Sequence, residues 1–284
     1  MNDDPREFVF TRYDARHGMA WLAQAYSLFS RKRLPWILLL LTYYVLLKLL
    51  LSLPFVGPYV ITILKPVFAV GLLAAAWTQE RGGTPALSQL FQGFRANLKS
   101  LLAIGIFFVV GVTAAIFASS LVDDGKLLDL LSSAGTMNDE EVAAALADGS
   151  LQAGMLFSAL LTIPVLIATW WAPALVVFQN AGAGMALAVS LRAALANWRP
   201  LAIYVFGVSF YGVVLPALFT GMLVLLMQEA GLLTAKVLLV PYGIFLAATL
   251  HISDYVSYRD VFHAGETLAP LSGPASPAPV ERRP

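Results

Sequence analysis

The 284-residue sequence has no cysteine. Disulfides, thiolate nucleophiles, thiolate-bound iron–sulfur clusters and cysteine-type zinc sites are therefore excluded. Three histidines, His17, His251 and His263, leave little material for a metal centre, and neither a metal nor another cofactor is expected. Charge is also scarce, at 12% of residues against about 25% in a soluble domain. Eighteen basic residues against 17 acidic ones leave a net charge of +1, so there is no bulk attraction to nucleic acid and no nucleic-acid partner is expected. The phosphate-loop, His-Glu-x-x-His and Gly-x-Ser-x-Gly patterns are missing, so nucleotide-binding, zinc-peptidase and hydrolase readings have no anchor. Apolar residues are what the chain has in abundance: 59% of the sequence is hydrophobic and the mean hydropathy is +0.76. Too few polar groups remain to cover a water-facing surface, and lipid is the natural solvent for most of the chain.

A helix crossing the hydrocarbon core of about 30 Å needs about 20 apolar residues. Six stretches qualify: Leu34–Leu53, Phe55–Trp77, Leu101–Leu121, Met155–Phe178, Leu201–Met227 and Leu232–Ile252. Period-two alternation is lacking, which argues against an outer-membrane barrel. The fold class expected is therefore an all-α integral membrane protein with six transmembrane helices. The first stretch starts too late and runs too long to be a cleavable signal. Basic residues orient the spans. Arg6, Arg12, Arg16 and Arg31–Arg33 precede the first span, Arg81, Arg95 and Lys99 follow the second, and Arg192 and Arg199 follow the fourth. Arg259, Arg282 and Arg283 follow the sixth, whereas the opposite loops hold only Lys126. Both termini are expected on the cytoplasmic side. The organisation expected is an N-terminal segment over 1–15, a membrane domain over 16–265 and a disordered proline-rich tail over 266–284.

The acidic loop 122–150 is expected on the outer face. In it Asn138 precedes Asp139, Glu140 and Glu141, a capping-box pattern that predicts a short helix. The acidity of the loop reads as a solubilising surface.

Self-similarity at an offset of 100 residues aligns Thr84–Leu101 with Gly184–Leu201, matching Ala86, Leu87, Ala96, Asn97 and Leu101 to Ala186, Leu187, Ala196, Asn197 and Leu201. Gly18-Met19-Ala20 echoes Gly184-Met185-Ala186 as a third copy. In each copy an amphipathic segment leads through a basic residue into a span. Its apolar face is Trp21, Leu22, Ala25, Tyr26 and Phe29 in the first copy, Leu87, Leu90, Phe91, Phe94 and Leu98 in the second, and Leu187, Leu191, Ala194, Leu195 and Trp198 in the third. The second span of each pair carries an internal proline: Pro66, Pro164 or Pro241. The expectation is three parallel repeats, each an interfacial amphipathic helix plus a helical hairpin. Parallel repeats differ from the inverted repeats of many secondary transporters.

Charged residues within spans are the candidate functional groups. Lys48 and Lys236 lie near the outer ends of their spans and can snorkel to headgroups. Lys65, just before Pro66 and about 15 Å past Phe55 at 1.5 Å per residue, is expected to face the bundle interior, either satisfying kinked backbone or contacting an anionic ligand or lipid headgroup. A cavity lined by Lys65, Tyr59, Thr62 and Tyr43 would favour a carrier. Deep carboxylates are missing from the spans, so a relay of acids is not expected. A polar cluster, His251, Asp254, Tyr255, Tyr258, Arg259, Asp260 and His263, closes the last span, with His251, Asp254, Tyr255 and Tyr258 on one helix side. It reads as an interfacial helix end, with tyrosines at headgroup level and Arg259 satisfying local carboxylates. A His251/Asp254 acid–base or metal pair is the competing reading. Trp170 and Trp171 read as packing residues.

Ser257-Tyr258-Arg259-Asp260-Val261-Phe262, together with the turn Pro54-Phe55-Val56-Gly57-Pro58 and the segment Leu28-Phe29-Ser30-Arg31, resembles a family of small proteobacterial six-span membrane proteins that has no established activity. The resemblance covers the chain apart from the acidic loop and the tail. It implies a bacterial inner-membrane location and nothing about a substrate. Three function classes follow. The scarcity of polar groups in the spans favours a non-enzymatic scaffold or accessory subunit contacting lipids, another membrane protein or a second copy. The alternatives are a lipid or small-solute carrier or channel at Lys65, and a membrane enzyme at His251/Asp254. The sequence leans against an enzyme.

Overall fold

The computed structural model describes residues 8–133 and 137–264. Arg6, Arg282, Arg283 and the tail over 266–284 lie outside the described residues. The described chain is built of helices, six of them long and apolar enough to cross a membrane.

Helix α1 (His17–Arg31) leads into α2 (Arg33–Leu51), and a turn leads into α3 (Gly57–Glu80). In the turn Phe55 adopts a left-handed φ of 62°. Pro58 sits in the first turn of α3, where its missing N–H costs nothing. A 3-10 turn (Leu87–Phe91) and α4 (Gln92–Arg95) lead into α5 (Leu98–Asp123), which Asn97 caps by accepting from the Ser100 N–H. The apolar run from Leu87 to Leu98 is thus a broken segment rather than one helix face: Leu90 is buried while Leu87, Phe91 and Phe94 are exposed.

Short helices α6 (Lys126–Ser133) and α7 (Asp139–Leu146) fill the acidic loop. The capping box is present at α7: Asn138 Oδ1 accepts from the Glu141 N–H at 2.9 Å, and Glu141 Oε2 accepts from the Asn138 N–H at 2.9 Å. The fourth span is α8 (Gly149–Trp170) followed by α9 (Ala172–Phe178). Helix α10 (Ala183–Ala196) then leads into the fifth span, α11 (Trp198–Ser209), a π-helical turn (Phe210–Val214) and α12 (Leu215–Met227). The last helix, α13, runs Glu229–Phe262.

The helices continue through Pro66, Pro164 and Pro241. The breaks occur elsewhere. Pro173 lacks an N–H and clashes with the preceding turn, so the fourth span opens at Trp171. There Ser190 Oγ of α10 accepts from the Trp171 N–H at 3.1 Å and donates to the Ile167 carbonyl at 3.1 Å. The hydroxyl stands in the gap that a helical i→i−4 bond would close. In the fifth span the Leu215 N–H bonds back five residues to the Phe210 carbonyl. The same pattern would assign the Tyr211 carbonyl to Pro216, which has no N–H. Tyr242 Oη of α13 donates to that carbonyl instead, at 2.6 Å.

The sixth span extends ten residues past its expected end at Ile252. Thirty-four residues make about 51 Å of helix, more than a hydrocarbon core of about 30 Å. The excess is the last three turns of α13, which bury themselves against α1, α3 and α9 at what we call the basal end. Trp21, Trp36, Trp171, Tyr255 and Tyr258 are fully buried there. Helix α1 buries Trp21, Leu22, Ala25 and Phe29, while Tyr26 remains exposed. Helix α10 instead buries Ala186, Val189, Ser190, Ala193 and Ala194, leaving Leu195 and Trp198 outward; its buried stripe is offset from the expected one. Backbone approach at the basal end is close: a Cβ on Gly18 would lie 2.2 Å from the Pro200 carbonyl oxygen.

Residues 8–16 cross this base. Tyr13 N–H donates to Asn197 Oδ1 at 2.9 Å, Asn197 Nδ2 donates to the Thr11 carbonyl at 3.0 Å, and Thr11 N–H donates to the Val261 carbonyl at 2.7 Å. Tyr13 Oη donates to the Asp260 carbonyl at 3.0 Å. Burial, reinforced by the Asp260 carboxylate and opposed by Arg259, raises the Tyr13 phenol above its ordinary value.

Candidate functional site

The three lysines stand apart. Lys48 is exposed in the last turn of α2 and Lys236 is exposed near the start of α13, both at the distal end. Lys65 lies eight residues, or about 12 Å, into α3. It is exposed rather than turned into the bundle. Its side chain stands in a groove of about 190 Å³ between α3, α5 and the break joining α8 to α9. Thr62 shares that groove, together with Ile104, Phe108 and Trp170. Tyr59 and Tyr43 do not. Tyr59 is 58% exposed, and Tyr43 is buried with its ring edge-on to His251, centroids 5.7 Å apart. Two backbones meet beside the groove: a Cβ on Gly105 would lie 2.2 Å from the Ile63 carbonyl oxygen, which fixes α5 against α3.

The polar cluster of the last helix divides. His251 and Asp254 face a second, smaller cavity of about 40 Å³, walled by Ala69 and Leu72 of α3 and by Trp170 and Pro173 at the α8–α9 break. Asp254, expected beyond the sixth span, is therefore inside the bundle, because α13 runs on and the base closes around it. Its side chain still keeps 46% of its surface accessible, so the carboxylate opens into the cavity rather than into packed side chains. His251 Nδ1 lies 3.9 Å from Asp254 Oδ2, beyond hydrogen-bond length. The neighbouring hydroxyls are engaged: Ser253 Oγ pairs with Tyr204 Oη at 2.7 Å, and Ser257 Oγ accepts from Trp171 Nε1 at 3.1 Å. Among the described residues no three His, Asp or Glu side chains come together as a metal site.

The remaining members of the cluster hold the base together. Tyr258 is buried instead of standing at headgroup level: its ring stacks on Phe178 with centroids 5.3 Å apart, and its hydroxyl lies 2.9 Å from His263 Nε2. Tyr255 is likewise buried, and its Oη donates to Glu80 Oε2 at 2.5 Å. Arg259 pairs with Glu80 and with Asp260 and donates to Gln24 Oε1 at 2.7 Å, tying α13 to α3 and α1. That Arg259 satisfies nearby carboxylates is as expected. Glu80, Gln79 and Ser190 were not singled out in the sequence, and Asn197 stood out only as a repeat position, since their partners lie far away along the chain. Gln79, for example, accepts from Trp36 Nε1 at 2.5 Å and donates to the Leu28 carbonyl at 2.5 Å.

Comparison with known proteins places the chain beside a probable inner membrane protein of Burkholderia thailandensis, 28% identical over 261 residues, which cover 90% of this chain and 94% of that relative. No protein-family model matches the sequence, and no solved structure matches it.

Proposed function

We propose that the protein is a non-enzymatic scaffold or accessory subunit of a bacterial inner membrane. In this reading the basal end with both termini is cytoplasmic, and the distal part of the α12–α13 hairpin is offered to another membrane protein. The observation that carries the reading is the hairpin itself. Helix α12 buries no residue, and Leu225, Leu226, Leu233 and Val237 are all more than 60% exposed. A Cβ on Gly221 or Gly243 would meet nothing within 4 Å. Glycine in a helix costs about 1 kcal/mol relative to alanine, and small residues in membrane helices let a neighbour approach closely. The inner-membrane assignment draws on the name of the Burkholderia relative, and the orientation on the basic residues of the basal segments. The threefold repeat belongs to the same proposal, as three units each entered through a basal segment.

A carrier is the second reading, favoured by the Lys65 groove.

Because the chain is free of cysteine, a single Leu225→Cys variant carries one unique crosslinking handle. In native membranes it is expected to give one discrete protein adduct, and native mass spectrometry of the gently extracted chain is expected to show the same second protein at fixed stoichiometry. A chain that crosslinks to no protein and flies only with lipid refutes the scaffold reading.

A further inference from the structure

The groove at Lys65 and the cavity at Asp254 are neighbours. Ala69, Trp170 and Pro173 line both, so the two spaces are separated by one indole and one turn of α3. Lys65 is four residues from Ala69, and Ala69 is three from Leu72, which puts about 10 Å along the bundle between the two levels. Positive charge stands at the upper level and negative charge at the lower.

Neither charge is compensated from within. Among the described residues no hydrogen bond or ion pair falls to Lys65, although an intramembrane ammonium ordinarily pairs or lines a polar path. Asp254 has only His251, at 3.9 Å.

The charges and their order restrict what fits. A simple anion would satisfy Lys65 but leave Asp254 as an unpaired like charge. A metal ion would find a single carboxylate. A primary ammonium carries the N–H donors a carboxylate accepts, whereas a trimethylammonium group has no such donors. We propose that the groove and cavity together form a binding site for a phosphoethanolamine group, with the phosphate against Lys65 and the ammonium against Asp254 and His251. Lys65 is exposed, so acyl chains attached to the phosphate would leave sideways into the bilayer. The proposal goes beyond the scaffold reading and does not depend on a protein partner or on membrane orientation.

The test is lipid retention by the full-length chain in mild detergent, read by native mass spectrometry with phosphatidylethanolamine, phosphatidylcholine and phosphatidylglycerol supplied in equal amounts. The expected result is at least about tenfold preference for phosphatidylethanolamine, lost in Lys65→Met and kept in Lys65→Arg. In Asp254→Asn the preference for phosphatidylethanolamine over phosphatidylglycerol should fall toward unity while phosphatidylglycerol binding is retained. That split distinguishes a broken site from a misfolded chain. Soluble phosphoethanolamine that displaces the lipid supports a site reading the headgroup alone; selective lipid retention that it does not disturb supports the intact lipid as ligand. Equal retention of all three lipids by the unaltered chain overturns the proposal, as does an undiminished preference in Lys65→Met that melts like the parent.

Discussion

The base of the bundle and the distal part of the α12–α13 hairpin are made of similarly apolar helices and are packed in opposite ways. At the base, Trp21, Trp36, Trp171, Tyr255 and Tyr258 are fully buried, and hydrogen bonds tie α13 to α1, α3 and the break before α9. In the distal part of the hairpin α12 buries nothing, and the outer turns of α13 bury only Gly231 and Ala235. Hydropathy alone does not explain the difference. Lipid is as apolar as leucine, so helices inside the hydrocarbon gain little by packing their apolar faces together. The base projects beyond the hydrocarbon, where apolar surface must be withdrawn from water and where polar side chains can be paired. One chain thus answers two solvents, and stability concentrates where the solvent is water or headgroups.

The contrast makes its largest prediction at Trp171. Trp171→Ala removes a fully buried ring and the Nε1 donor to Ser257, and should cost about 3–5 kcal/mol, read as a lowered denaturation midpoint in detergent. Leu225→Ala, on the 83% exposed side of α12, should cost the isolated chain less than about 0.5 kcal/mol. Equal costs at the two sites would erase the distinction between the two regions.

The same division decides what could be read from the sequence. The six spans were legible because about 20 consecutive apolar residues announce themselves, and the α7 cap was legible because Asn138 and Glu141 are three residues apart. The last turns of α13 were not. Hydropathy fails at Ser253 and Asp254, and only burial against distant elements keeps the helix going. The prolines divide for a related reason. Helix α8 runs on through Pro164, while the chain opens before Pro173, where Ser190 of another helix supplies the missing hydrogen bonds. Lys65 was marked as unusual by its charge, but its groove lies beside the place where Gly105 lets α5 approach α3. His251 and Asp254 stood together in the sequence; the indole of Trp170 above them became part of the same region only through the fold.

A smaller effect is expected where the hairpin does use a polar tie. Tyr242→Phe deletes the donor to the Tyr211 carbonyl and leaves an acceptor unmet inside the membrane. Interhelical hydrogen bonds in membranes average about 0.6 kcal/mol, so the melting temperature should fall only slightly. The π turn should feel the loss more than global stability does, with faster amide exchange over 210–216. Unchanged exchange there would mean that the π turn is held by Pro216 alone.

The smallest effect lies outside the membrane. The Lys126 ammonium, the Ser150 hydroxyl and backbone N–H groups hold the Asp148 carboxyl well below the usual carboxylate range. A depressed folded value means that this contact contributes fully above the ordinary carboxylate value of about 4 and is lost as pH falls through the lower, folded one. The pair is exposed on both sides and screened by solvent, so α6 and α7 should loosen in acid while the melting temperature of the bundle hardly follows. A spin label at Ser132→Cys should show constant mobility from neutral pH down to about pH 5 and increasing mobility only below about pH 4. In Asp148→Asn the label should be mobile at every pH. If acid loosened the basal helices together with this cap, the two ends would be one cooperative unit, and the packing contrast between them would carry no energetic meaning.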